Sequence, residues 1–336
     1  MSFKTRLTVS LVAVWAATAA LSAASPIGVH FWPTPNDAFL KGRGLSHFAQ
    51  PTQSGRLESA LWGCVRNNGT RFHEGIDLRS IQRDGRGESV DRIYAFDRGI
   101  VRYASRDPSK SSYGRYIVVE HPHWMSGMVT LYAHLSYVPE RIKPGLEVRG
   151  GEAIGVMGRS ASYTIPKERA HLHFEIGMWM GAGFRKWYDR QRFDTPNDHG
   201  DFNGMNIVGA NVWSWLQKLK SGQAKSVMEC FAAEPTAVRV TVWEKSIPDA
   251  LRANPELMTN TFLPADLAGW RISFAASGLP LRFEALSASL KRPDSQRVSI
   301  EAVDSRLAES RSCIALLRSG RPSGRLSSLL GRLFVD

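Results

Sequence analysis

The sequence predicts a mainly β fold, a domain of antiparallel strands followed by a smaller C-terminal α+β domain. Two observations carry this. Residues 70–178 break into short runs of β-branched and aromatic residues punctuated by glycine turns, the pattern of an all-β domain. Within them, His171-Leu172-His173-Phe174-Glu175-Ile176 alternates polar and apolar, so it predicts a strand with one apolar and one chemical face. From about Ser226 the character changes. Val238 to Trp243 alternates as a strand, while Val298 to Leu307 mixes strand and helix signals.

The elements follow in order. Met1 to Ser25 has Lys4 and Arg6, a short apolar run and a small-residue exit, the signature of a cleaved secretory signal spanning residues 1–24. No later segment approaches the roughly 20 apolar residues that spanning a bilayer needs. Residues 25–69 read as a leader, irregular around Trp32-Pro33-Thr34-Pro35 because of its two prolines. Residues 70–220 form the main domain, ending in an aromatic-rich region from Trp179 to Trp215 whose rings either pin a long loop to the sheet or flank a cleft and stack on sugar rings. Residues 226–336 form the C-terminal domain. Its tail carries apolar stripes at Ile314, Leu316, Leu317 and at Leu326, Leu329, Leu330, Leu333, Phe334, predicting two short helices around Gly320 to Gly324.

The polar face of the 171–176 strand points to metal chemistry. His171, His173 and Glu175 share that face, and two imidazoles so placed can serve one metal, or one can bind it while the other moves protons. His73 and Asp77, four residues apart, share a face whether their segment is helical or extended. His73, Asp77 and His173 are the predicted ligands. Two imidazoles and a carboxylate leave a fourth tetrahedral position open, which suits a catalytic Zn2+ rather than a structural one. In Val129 to Leu135, alternation places Thr130, Tyr132 and His134 opposite Val129, Leu131, Ala133 and Leu135. His134 and His171 then form the catalytic pair, with His171 as general base and His134 as oxyanion stabiliser and proton donor, roles open to exchange. Glu175 is read either as a partner that orients an imidazole or as a solvated strand-end carboxylate, and Tyr132 as a supporting residue on the face of His134. His121-Pro122-His123 is read as structural, its rings projecting from a hairpin end, because proline cannot donate to a strand ladder.

These pieces, His-x-Gly-x-Asp at 73–77, Tyr-Ala-His-Leu at 132–135 and His-Leu-His-Phe-Glu at 171–175, in that order, resemble the lysostaphin-like, LytM-type zinc endopeptidases. The segments around Tyr94 to Val101, Ser112 to His121 and Gly145 to Gly158 agree with that resemblance, which covers about residues 70–178. It implies a barrel-sandwich-like antiparallel sheet, zinc on His73, Asp77 and His173, catalysis by His134 and His171, and peptidoglycan as substrate. The chain departs from the family pattern at Gly158 to Ala170, where members commonly carry a Ser-Gly-x-Ser-x-Gly turn. That loop borders the site, so the departure bears on substrate preference.

Export, to the periplasm or beyond the cell, agrees with peptidoglycan as partner. A net charge of +12 favours polyanions, and bacterial walls carry carboxylates and phosphates. Nucleic acid is not expected, because Arg311, Arg318, Arg321, Arg325 and Arg332 are dispersed among Leu and Ser rather than set out as a reader motif. Three cysteines make an odd count for an exported chain; Cys230 with Cys313 is the expected bridge and Cys64 the free thiol. The alternative function is a non-catalytic wall-binding module that activates an amidase. A peptidase acting on secreted proteins is a third reading.

Overall fold

The computed structural model describes residues 24–290, 297–309 and 312–335. The predicted signal segment lies outside them, apart from Ala24. Among the described residues no helix is long and apolar enough to cross a membrane.

The protein is mainly β. A ribbon of β1 (Gly63–Arg66) and β2 (Arg71–His73) leads into the main sheet. That sheet comprises β3 (Ile76–Arg79), β4 (Arg92–Tyr94), β5 (Gly99–Ser105), β6 (Arg115–Glu120), β7 (Met128–Tyr137), β8 (Glu147–Val148), β9 (Ala153–Met157), β10 (His171–Trp179) and β11 (Ile207–Gly209). Its order is β8-β5-β6-β7-β9-β4, with β10 pairing β7 on one side and β3 and β11 on the other. All these pairings are antiparallel.

The alternation expected of β10 holds. Leu172, Phe174, Ile176 and Met178 enter the main core with Ile76 and Leu78 of β3, which leaves His171, His173 and Glu175 on the other face. Registration does the rest: His173 pairs with Asp77 of β3 and with Ala133 of β7. The leader packs against this domain. Trp32, Phe39 and Phe48 are in the core, the Phe31 amide donates to the Phe96 carbonyl, and Asn36 Nδ2 donates to the Arg79 carbonyl.

In the C-terminal part, β12 (Val238–Val242), β13 (Leu267–Phe274), β14 (Pro280–Ser287) and β15 (Val298–Ala302) form an antiparallel sheet in the order β14-β13-β12-β15. The helices among the described residues include α1 (Phe184–Gln191), between β10 and β11, then α2 (Val212–Ser221) and α3 (Val227–Ala232), and α4 (Gly324–Leu333) near the end. One contiguous core runs from Ile27 through both sheets to Leu333.

Two expectations are corrected here. The tail forms one helix, α4, capped by the Ser323 hydroxyl accepting from the Leu326 amide. Its predicted partner around Ile314 to Leu317 instead leads into a short ribbon, Leu317–Arg318 with Arg321–Pro322. The apolar run there is too short to sustain helical turns and is buried through a turn at Cys313–Ile314 and a bend at Leu316. The bridge joins Cys64 to Cys313, with Cα atoms 5.7 Å apart, and Cys230 is the buried free thiol. Cys230 lies on α3 with its sulfur turned toward the Trp215 carbonyl, where it behaves as a small core residue, whereas β1 brings Cys64 against the C-terminal segment. Proximity in sequence thus misled the pairing.

Candidate metal centre and catalytic pair

Three donor atoms converge where β2, β3 and β10 meet. His73 Nε2, Asp77 Oδ1 and His173 Nδ1 lie 3.0 Å from one another in all three pairings. Four donors placed tetrahedrally at zinc distances sit about 3.3 Å apart, so the triangle has close to the right size. Among the described residues this is the group of His, Cys, Asp and Glu that meets metal-site geometry. Each imidazole is fixed from behind. The Leu61 carbonyl, 2.7 Å from His73 Nδ1, can only accept, so it holds the proton there and leaves Nε2 to face the centre. Glu175 Oε1, 2.8 Å from His173 Nε2, does the same for the opposite nitrogen, and the Tyr113 hydroxyl donates to that carboxylate at 2.6 Å. The other oxygen of Asp77 accepts from the Arg66 guanidinium.

The electrostatics favour a cation within this triangle. Burial opposes ionisation of Asp77, yet His73, His171 and Arg66 outweigh it and hold the carboxyl well below the usual range. Burial lowers His73 to about 4 despite Asp77. It would lower His173 as well, but hydrogen bonds to Asp77 and Glu175 prevail and raise that imidazole to about 9. The two histidines shift in opposite senses because His173 is flanked by two carboxylates and His73 by one.

His134 and His171 stand beside the triangle, their ring centroids 4.6 Å apart. His171 Nδ1 donates to the Arg169 carbonyl at 2.7 Å and His134 Nδ1 to the Ser160 carbonyl at 2.8 Å, so both rings keep Nε2 unprotonated. His171 Nε2 lies 3.7 Å from Asp77 Oδ1. Burial lowers both pKa values. Asp77 partly restores that of His171, whereas neighbouring His171 and His173 depress His134 further.

His134 arrives on this face by a device that simple alternation conceals. Its φ is +62°, and the register of β6 against β7 shifts there: Arg115 faces Leu135 while Ile117 faces Tyr132. Ala133 and His134 therefore both leave the core face, and Leu135 returns to it. Tyr132 is the casualty. It is fully buried on the core side against Phe174, its hydroxyl accepting from the Phe96 amide, so it does not reach the metal triangle as expected. Sequence reasoning missed Arg66, Tyr113 and the carbonyls of Leu61, Arg169 and Ser160. Carbonyls leave no mark in a sequence. Tyr113 lies within the Ser112 to His121 segment, where no phasing aims it at the site.

His121 and His123 stay away from this cluster, at the β6–β7 hairpin. His121 is fully buried rather than projecting, stacked on Trp124 with centroids 4.0 Å apart. Its two nitrogens meet the Arg98 carbonyl and the Thr130 hydroxyl, both at 2.8 Å. Among the aromatic residues after β10, Trp179 stacks on Phe202, and Phe184, Trp187 and Tyr188 form a small buried cluster.

Residues 71–183 match the model of peptidase family M23. Solved structures with similarity include a zinc-containing peptidase from Vibrio cholerae, 26% identical over 32% of this chain and 31% of that one, with a TM-score of 0.25. The prophage-encoded M23 protein EnpA from Enterococcus faecalis is 20% identical over 39% of this chain and 81% of its catalytic domain, with a TM-score of 0.29. The catalytic domain of the antimicrobial peptidase lysostaphin from Staphylococcus simulans is 23% identical over 35% of this chain and 75% of that one, with a TM-score of 0.26. This chain thus spans about a third of the Vibrio cholerae structure it matches. No curated protein matches the chain.

Proposed function

We propose that this protein is an exported zinc-dependent endopeptidase that hydrolyses peptide bonds in the stems or cross-links of peptidoglycan. The observation that carries the reading is the 3.0 Å triangle of His73, Asp77 and His173 with the His134–His171 pair beside it. The M23 match over residues 71–183 supports the reaction class. The amino-terminal signal pattern supports export to the periplasm or beyond.

Bound by those three residues, zinc supplies Lewis-acid polarisation of a carbonyl and activation of water. The chain's own groups handle the protons. His171, kept neutral by burial and turned with Nε2 toward the centre, is the general base, because Asp77 stabilises its protonated form. His134 is the weaker base of the two and hence, once protonated, the stronger acid, which suits it to donate to the oxyanion or the leaving amine. Glu175 and Arg66 hold His173 and Asp77 in orientation, and Tyr113 holds Glu175.

The presence of all five residues in working geometry favours hydrolysis over a non-catalytic wall-binding role. Incubating purified, zinc-loaded protein with sacculi of several chemotypes is expected to release new amino groups. Failure on every chemotype, with zinc bound, would overturn the enzyme reading, and stimulation of a partner amidase would put the binding module in its place.

A further inference from the structure

Access to the site is one-sided. Along β10 the exposure of the polar face falls from His171 at 8% to His173 at 4% and Glu175 at 1%. Past Glu175 the face is roofed by the segment before β11: a Cβ on Gly204 would lie 2.2 Å from the Tyr113 ring, and Tyr116 and Trp179 donate to the carbonyls of Phe202 and Asp201. The opposite end borders a polar recess of about 370 Å³, walled by residues 158–161 and 163–165 and by Glu88, Arg115 and Ser136. This wall is the segment that departs from the family pattern.

Ser160 joins the recess to the catalytic pair. Its carbonyl accepts from His134 Nδ1, and its hydroxyl accepts from the Arg115 amide at 2.9 Å. Gly114, at φ +61°, packs so tightly here that a Cβ would meet the Ser160 carbonyl at 2.2 Å. Two guanidiniums line the recess. That of Arg159 is satisfied by Glu88, with contacts of 3.0 and 2.9 Å. That of Arg115 spends Nε on the Arg106 carbonyl at 2.9 Å, and no described hydrogen bond or ion pair occupies its two terminal nitrogens. Asp107 lies within its electrostatic reach but already accepts from the amide and hydroxyl of Ser109.

We infer that this recess is a substrate subsite for a carboxylate-bearing residue next to the scissile bond, with Arg115 as the residue that recognises it. Two parallel N–H groups of a guanidinium match the two oxygens of a carboxylate, and a primary amide of the same shape cannot accept at both positions. The link through Ser160 places that recognition one residue from the group that orients His134, so a bound carboxylate is held at the open end of the site. The inference rests on the peptidase reading and adds a specificity to it.

The test uses zinc-loaded full-length protein and two synthetic stem peptides that differ only in one carboxylate against its primary amide. Wild-type kcat/KM should favour the carboxylate by roughly 10- to 100-fold, the scale of a charge-assisted hydrogen bond. Arg115→Met should bring that ratio near one, mainly by raising KM for the carboxylate peptide. Arg115→Lys, which retains the cation, should restore part of the preference. No preference in the wild type, or an unchanged ratio in Arg115→Met, overturns the subsite. Calorimetric binding of both peptides keeps the two readings apart: a carboxylate preference in binding that Arg115→Met abolishes, without turnover of either peptide, sustains the subsite and sinks the hydrolase.

Discussion

Two histidine pairs of this molecule look alike in sequence and differ in chemistry. His121 and His123 flank a proline, His171 and His173 flank a leucine, and all four sit at or beside strands of one sheet. The difference lies in what each ring nitrogen touches. His121 is satisfied at both nitrogens by the Arg98 carbonyl and the Thr130 hydroxyl, so it is a buried hydrogen-bonding core residue with nothing left to offer. At the metal triangle, one nitrogen of each imidazole is fixed by a carbonyl or carboxylate and the other is turned toward a shared centre. The rings of His73 and His173 thus share one carboxylate through their second nitrogens, whereas His121 spends its two nitrogens on separate groups.

Mutation can break that contrast, and the largest effect is expected at His171. His171→Ala should keep zinc and lose turnover by about 10²–10⁴-fold, the usual scale for one acid–base group. Steady-state kinetics with metal analysis checks this, and loss of zinc would exchange the assigned roles of His171 and His173. Next comes Glu175→Gln, which keeps the volume but removes the carboxylate that fixes His173; zinc affinity should fall about 10- to 100-fold, read by competition with a chelator. An unchanged affinity would make Glu175 a bystander.

Two smaller effects sharpen the contrast from the other side. Burial lowers His121 to about 4, so the unfolded chain takes up a proton at that position before the folded one does. Its contribution to stability is present above pH 6.5 and is lost as pH falls from there toward 4, by up to about 3 kcal/mol. Denaturant titrations of wild type and His121→Gln across that range should converge as the pH drops, and parallel curves would contradict the assignment. At neutral pH the double variant His121→Gln/His123→Gln should cost about 1–3 kcal/mol of stability, yet leave zinc stoichiometry and turnover nearly unchanged.

The fold and the convergence of His73, Asp77 and His173 were largely legible because they follow from period-two alternation and register. His173, Asp77 and the apolar face of β10 fell where counting placed them. Tyr132 did not, because a left-handed residue at His134 resets the count, and nothing in Tyr-Ala-His-Leu announces a positive φ at a non-glycine position. The disulfide was misread for a related reason: the ribbon of β1 and β2 carries Cys64 across 249 residues of sequence to Cys313, a tertiary proximity that spacing cannot express. Arg66 went unnoticed in that same ribbon.

The central claim is that His73, Asp77 and His173 hold the metal while the other histidines do not. Metal analysis of purified His173→Ala tests it most directly, because a two-ligand remnant should not retain zinc through dialysis. The account predicts one zinc per chain in the wild type and in His121→Gln/His123→Gln, and none in His173→Ala. Stoichiometric zinc in His173→Ala would contradict it.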